Sequence, residues 1–165
     1  MMPVISMRKF AYDSRAGVTL TELIVVFGIM GMLAAYGMHA LSLYRHTIEL
    51  NDGAENAMSA LVTARTNTLS SQGAMQYGVH FAGGSTTLFV GSAYASGATG
   101  NVVTALPAAV EASAIALSGG GADIVFKRFT GETDQYGTIT LRLTSDPAQT
   151  RVVNILASGA IWFGK

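Results

Sequence analysis

From Leu23 to Tyr44 the chain carries no Asp, Glu, Lys or Arg. Apolar residues follow one another from Leu23 through Val25, Phe27 and Met30 to Leu33, so a helix here is apolar all round rather than along one stripe. As a helix the run is about 33 Å long at 1.5 Å per residue, which matches a hydrocarbon core of roughly 30 Å. Gly28, Gly31 and Gly37 weaken such a helix in water but suit close helix–helix approach in a membrane or bundle. Past Tyr44 the pattern changes. Arg45 and His46 mark the exit, and Ala54, Ala57, Met58, Leu61, Arg65 and Leu69 then recur at helical spacing. The simplest expectation is one helix continuing to a stop at Gln72-Gly73, with an irregularity at Asn51-Asp52-Gly53 and its apolar stripe laid on a sheet.

The remainder reads as strands between turn residues. Tyr77, Val79 and Phe81 alternate, Gly83-Gly84 turns the chain, and Thr87–Val90 follows. A Gly/Ser/Ala stretch over 91–100 reads as a mobile loop. Further strands are expected at 114–117, ending in Gly119-Gly120-Gly121, and at 124–126 with Phe129. The clearest alternation sets Ile139, Leu141 and Leu143 against Thr138, Thr140 and Arg142. Strands at 152–155 and 161–163 close the chain. Seven short strands at this spacing predict an antiparallel sheet or small sandwich. The fold class is therefore α+β: a long N-terminal, membrane-spanning helix packed on an antiparallel β domain.

The start of the chain sharpens this. A leader with Arg8, Lys9 and Arg15 ends at Gly17, and Val18-Thr19-Leu20-Thr21-Glu22 precedes the apolar run. A secretory signal peptide would have an apolar region of 7–15 residues and a small-x-small cleavage site beyond it. Here the run is longer, and Ala34-Ala35 is followed by more apolar chain. A signal anchor accounts for the basic leader, held on the cytoplasmic side, and for the length. It does not account for Glu22, since a carboxylate is costly in lipid unless it sits near the interface or finds a partner.

Gly17 followed by Val18-Thr19-Leu20-Thr21-Glu22 resembles the class III prepilin signal of type IV pilins and type II secretion pseudopilins. Gly31-Met32-Leu33-Ala34-Ala35 is similar to the Gly-Ile-Leu-Ala-Ala stretch of those helices. Ala64-Arg65 resembles the Ala-Arg-Ser pattern of the H-type pseudopilins and their minor-pilin relatives. The resemblance implies that a prepilin peptidase cuts between Gly17 and Val18 and N-methylates Val18. It implies that Glu22 pairs with the amino terminus of a neighbouring subunit during assembly. It divides the chain into a leader (1–17), a transmembrane and assembly helix (18–44) and a periplasmic domain (45–165), the last made of an amphipathic helix (45–72) and a β domain (75–165). The partners implied are other pilins or pseudopilins, the peptidase and the bacterial inner membrane. The function implied is that of a minor pseudopilin of a type II secretion system, with a type IV minor pilin in fibre initiation or DNA uptake as the alternative. Two positions depart from the pattern: Val18 stands where Phe is usual, and His39 where many members have a helix-bending proline.

Composition narrows the remaining chemistry. Ten Lys and Arg balance ten Asp and Glu. The leader takes Arg8, Lys9, Arg15 and Asp13 with it, leaving seven basic and nine acidic residues, net −2. That balance gives no argument for nucleic acid. With no cysteine, disulfides and thiolate metal sites are excluded together. His39, His46 and His80 have no metal-ligand spacing, and Asp123, Glu132, Asp134 and Asp146 lack the dense oxygen spacing of a calcium loop. No Gly-x-Ser-x-Gly elbow is present, so neither an enzyme, a metal nor a cofactor is expected. Lys127, Arg128, Arg142, Arg151 and Lys165 are the candidates for a basic, DNA-binding face, weighed against a merely solvated strand surface. The tail reads Gly159-Ala160-Ile161-Trp162, without the arginine found there in DNA-binding relatives.

Overall fold

The computed structural model describes residues 17–70 and 72–164. The leader to Ala16, the side chain of His39 and Lys165 lie outside the described residues. The chain divides into two compact units, Met1–Leu41 and Ser42–Lys165. One helix, α1 (Leu20–Leu69), contributes to both.

Among the described residues of the first unit, α1 is the one element. Leu20–Met38 is long and apolar enough to cross a membrane, and none of it is buried. Ile24, Phe27, Met30 and Leu33 are all more than half exposed, so these side chains have no place in a core of their own.

The second unit holds the core. Along α1 the buried positions are Leu50, Ala54, Ala57, Leu61, Ala64 and Thr68, each at most 1% exposed. Steps of four and three residues keep these on one face. The stripe differs from the expected one at its end, where Leu69 is 40% exposed and Thr68 is buried in its place. Thr68 Oγ1 donates to the Ala64 carbonyl at 2.8 Å and accepts the Tyr77 N–H at 2.9 Å. A buried hydroxyl with both partners costs little, and it ties the helix end to the first strand. The expected irregularity at Asn51-Asp52-Gly53 is absent, because α1 is continuous there. Gly53 serves packing: a Cβ on it would stand 3.0 Å from Val110 Cγ1.

Eight strands follow: β1 (Tyr77–Ala82), β2 (Ser85–Val90), β3 (Val102–Ala105), β4 (Val110–Leu117), β5 (Asp123–Val125), β6 (Gly137–Leu143), β7 (Thr150–Ile155) and β8 (Ile161–Gly164). They form two four-stranded sheets, β3-β2-β1-β5 and β4-β6-β7-β8. Every pairing is antiparallel. The architecture is the α+β one the sequence predicts, with one strand more than expected. That strand, β3, is exposed at all four positions. A short edge strand with no buried face lacks the apolar alternation by which strands are read.

Two local expectations are corrected. Phe129 belongs to no strand: Phe126 pairs with Thr133 across an isolated bridge, and Phe129 sits on the loop between β5 and β6. The segment 91–100 is pinned rather than loose. Tyr94 stacks on His80 at 3.9 Å and meets the edge of Phe89 at 5.7 Å. Asn101 Nδ2 donates to the Ala95 carbonyl at 2.9 Å. One aromatic among the small residues supplies the anchor that composition hides.

The core is a single cluster joining the α1 stripe to both sheets. It includes Val79, Phe81 and Ile124 from the first sheet and Ile139, Leu141, Leu143, Val153 and Ile155 from the second.

Candidate assembly site

The helix begins at Leu20 because Thr19 caps it. The Thr19 carbonyl accepts the Leu23 N–H at 3.1 Å, and Thr19 Oγ1 accepts the Glu22 N–H at 3.2 Å. Thr21 Oγ1 lies 3.1 Å from Thr19 Oγ1. Thr19-x-x-Glu22 is the pattern of a capping box. Glu22 stands in the first turn, where the positive end of the helix dipole favours a carboxylate by about 0.3–1 kcal/mol. Sequence reasoning weighed Glu22 for a partner in another chain and missed this local role, although Thr-x-x-Glu before an apolar run was its signal. The cap leaves the carboxylate exposed. Among the described residues Glu22 is in no ion pair.

The residues around it are conspicuous for what the fold does not ask of them. Among the described residues, a Cβ at Gly17 would meet nothing within 4 Å, and the same holds for Gly28, Gly31 and Gly37. Each glycine inside a helix costs about 1 kcal/mol relative to alanine, with no packing against the described residues to offset it. Val18 is 70% exposed.

The candidate basic residues do not converge. Arg142 on β6 pairs across the strand with Thr150, whereas Arg151 on β7 pairs with Leu141. Directly opposed residues share a face of the sheet, so Arg151 shares a face with Leu141 and Arg142 takes the opposite one, although Arg151 itself, near the strand end, is exposed. Arg151 Nε accordingly donates to Asn51 Oδ1 of α1 at 2.9 Å. Arg142 Nε is bound to Glu111 Oε1 at 2.7 Å. Lys127 and Arg128 follow β5, in the other sheet. Lys127 Nζ is bound to Asp134 Oδ1 at 2.6 Å, and that hydrogen bond raises the lysine above its ordinary range. The Arg128 guanidinium sits 5.0 Å from the centre of the Phe129 ring.

His80 Nδ1 lies 2.6 Å from Asp123 Oδ1, joining β1 to β5, and His46 Nδ1 is 3.7 Å from Glu49. Among the described residues no group of three His, Cys, Asp or Glu is placed to hold a metal ion.

No family model matches the chain. Among solved structures it is similar to the crystal structure of the type IV minor pilin FimU of Pseudomonas aeruginosa strain PAO1, with 16% identity over 70% of this chain and 93% of that one and a TM-score of 0.49.

Proposed function

We propose that the chain is a minor pseudopilin of a type II secretion system, a structural subunit that joins other pilin-like chains in a periplasmic pseudopilus. α1 anchors it once in the bacterial inner membrane, with the C-terminal domain in the periplasm. A prepilin peptidase removes the leader after Gly17 and methylates Val18, and Glu22 then meets the amino terminus of a neighbouring subunit. The carrying observation is the exposed apolar stretch Leu20–Met38 with Glu22 in its first turn, which among the described residues has no ion-pair partner for Glu22 and no neighbour within reach of a Cβ at Gly17, Gly28, Gly31 or Gly37. Lipid alone would accept leucine at the three helical glycines. A partner helix explains them, because small residues let backbones approach closely.

A minor pilin of a type IV pilus is the second reading. Phe129, exposed beside Arg128, favours its DNA-uptake form, because an aromatic next to a cation can hold a base and its phosphate. Deleting the gene separates the two. A pseudopilin's loss stops export of secreted proteins and spares pili, whereas a pilin's loss removes pili or transformation and leaves export intact.

A further inference from the structure

Strand β3 ends the first sheet, so one of its two sides has no strand beside it. The Leu106 N–H that follows it donates to the Gly84 carbonyl at 2.9 Å, in register with the Ser85–Ala105 and Thr87–Val103 pairs. Antiparallel residues alternate between bonding across the ladder and pointing away from it. Val102 and Thr104 therefore bond to β2, while the N–H and C=O of Val103 and Ala105 point outward. Among the described residues, those outward groups find no backbone partner elsewhere.

A groove of about 220 Å³ runs between this edge and α1. Asn56, Ser59 and Thr63 of α1 form one wall, and Leu88 and Val102 the other. The helix wall is small and uncharged, which leaves room for another backbone to come close. Sheet edges are normally guarded by shortness, charge or a bulge. Strand β5 has three residues and opens on Asp123. Strand β4 carries Glu111 and a bulge between Ala112 and Ala114. Strand β8 lies beside Glu55 and Arg151. No such charge guards β3: from Phe81 to Val110 the chain has no Asp, Glu, Lys or Arg, and Val102 and Val103 are 56% and 64% exposed.

We infer that β3 is the docking edge for a strand from a different fibre subunit. An extended, uncharged segment of that subunit bonds to the outward groups of Val103 and Ala105 and sets alternate side chains into the groove, extending the first sheet by one strand. An unguarded edge invites promiscuous pairing, so a neighbour held permanently in the fibre fits it better than a passing partner. A second copy of this chain fits poorly. Antiparallel pairing of β3 with itself needs a two-fold axis through the sheet, which would reverse α1, whereas chains anchored in one membrane hold α1 in one direction. The inference rests on the fibre reading and names the surface through which this subunit recognises its neighbour.

The test uses the full chain in membranes, with a benzophenone side chain placed at Ser59 on the groove wall. Illumination should link it to a different pilin-like subunit, identified by mass spectrometry. Val103→Pro, which removes an outward N–H and leaves the bonds to β2, should lower the yield at least tenfold. Val103→Lys, a gentler change that puts a charge on the edge, should do the same, and Val103→Thr should not. Hydrogen exchange at the Val103 and Ala105 amides should slow at least tenfold on assembly, whereas Val102 and Thr104 are protected throughout. A link to a second copy, to a secreted protein or to nothing, from chains that still enter fibres in a Glu22-dependent manner, overturns the docking edge and leaves the fibre reading intact. Unchanged exchange at Val103 and Ala105 in assembled chains overturns it too, since the contact would then involve side chains alone. Failure of the unlabelled chain to enter fibres at all would remove the fibre reading and this inference with it.

Discussion

Arg65 on α1 donates its Nε–H to the carbonyl oxygen of Gly131 at 3.2 Å. That same oxygen presses on Gly159, whose φ is +76° and whose missing Cβ would also stand 2.8 Å from Arg65 Nε. Helix, β5–β6 loop and β7–β8 turn therefore meet at one point. Gly159→Ala should destabilise by at least about 1–3 kcal/mol through backbone strain alone, with the overlap added. Arg65→Met, which leaves a half-buried carbonyl unpaired, should cost about 1–3 kcal/mol. The two sites share a partner, so the double change should fall short of the sum. Thermal unfolding of a chain beginning at Thr47 reads this out, since the whole core lies beyond that residue. An unchanged midpoint for both variants would refute the junction.

Much of this was legible in the sequence, and the exceptions share a cause. The apolar helix, which ends at Leu69 ahead of the expected stop at Gln72-Gly73, and seven of the eight strands follow from periodicity, because burial on one face leaves a trace every second or every third to fourth residue. Strand β3 left none, being exposed throughout. Thr68 hid because its burial depends on Tyr77, nine residues away. Phe129 misled because an aromatic beside Ile124 and Phe126 reads as strand, and its exposure at a loop tip is set by the Phe126–Thr133 bridge. At the candidate site the residue types were visible at once. That Arg142 and Arg151 face opposite sides needed the register, which no single strand carries.

Processing tests the role of Gly17. Among the described residues no neighbour requires glycine there, so Gly17→Val should leave the folded domain unchanged while the leader stays attached. N-terminal mass spectrometry of membrane-extracted protein should find N-methyl-Val18 in the wild type. A mature start beyond Ala35 would mean an ordinary signal peptide and end the pilin reading.

Glu22 has two roles that substitutions can separate. Glu22→Gln keeps a side chain able to complete the capping box but removes the charge offered to a neighbour. Thr19→Val removes the cap, a change worth about 0.5–2 kcal/mol, and keeps the charge. Fibre incorporation should collapse in Glu22→Gln and weaken only partly in Thr19→Val, with insertion and leader removal intact in both. Equal incorporation of Glu22→Gln and wild type, by cross-linking and secretion assays, would show that capping is the residue's whole purpose.

The Lys127–Asp134 pair gives a pH expectation. The lysine is raised above 10.5 in the folded state, so the folded protein holds its proton more tightly than the unfolded chain. Its contribution is complete below pH 10.5 and is lost as pH rises through the raised value. Asp134→Asn should move the Lys127 midpoint down toward 10.5, followed by NMR of the side-chain nitrogen, and lower stability at neutral pH only slightly, because a fully exposed pair contributes little. A midpoint indifferent to Asp134 would mean the hydrogen bond is not held in solution.

DNA binding should be weak and shallow in its salt dependence. Each phosphate neutralised contributes about −0.9 to the slope of log affinity against log salt. Arg142 is held by Glu111 and Lys127 by Asp134, while Arg151, though exposed, donates to Asn51 on the other face of its sheet from Arg142. Arg128 is then the one candidate cation, among those described, without a side-chain hydrogen bond or ion pair. A slope no steeper than about −2 is expected, since Lys127 could exchange its partner for a phosphate. In a gel shift at roughly 150 mM salt, no complex should survive. A retained complex with a slope near −4, lost in Lys127→Ala/Arg128→Ala, would require both sheets to present their cations to one duplex. The assignment would then pass from secretion to DNA uptake.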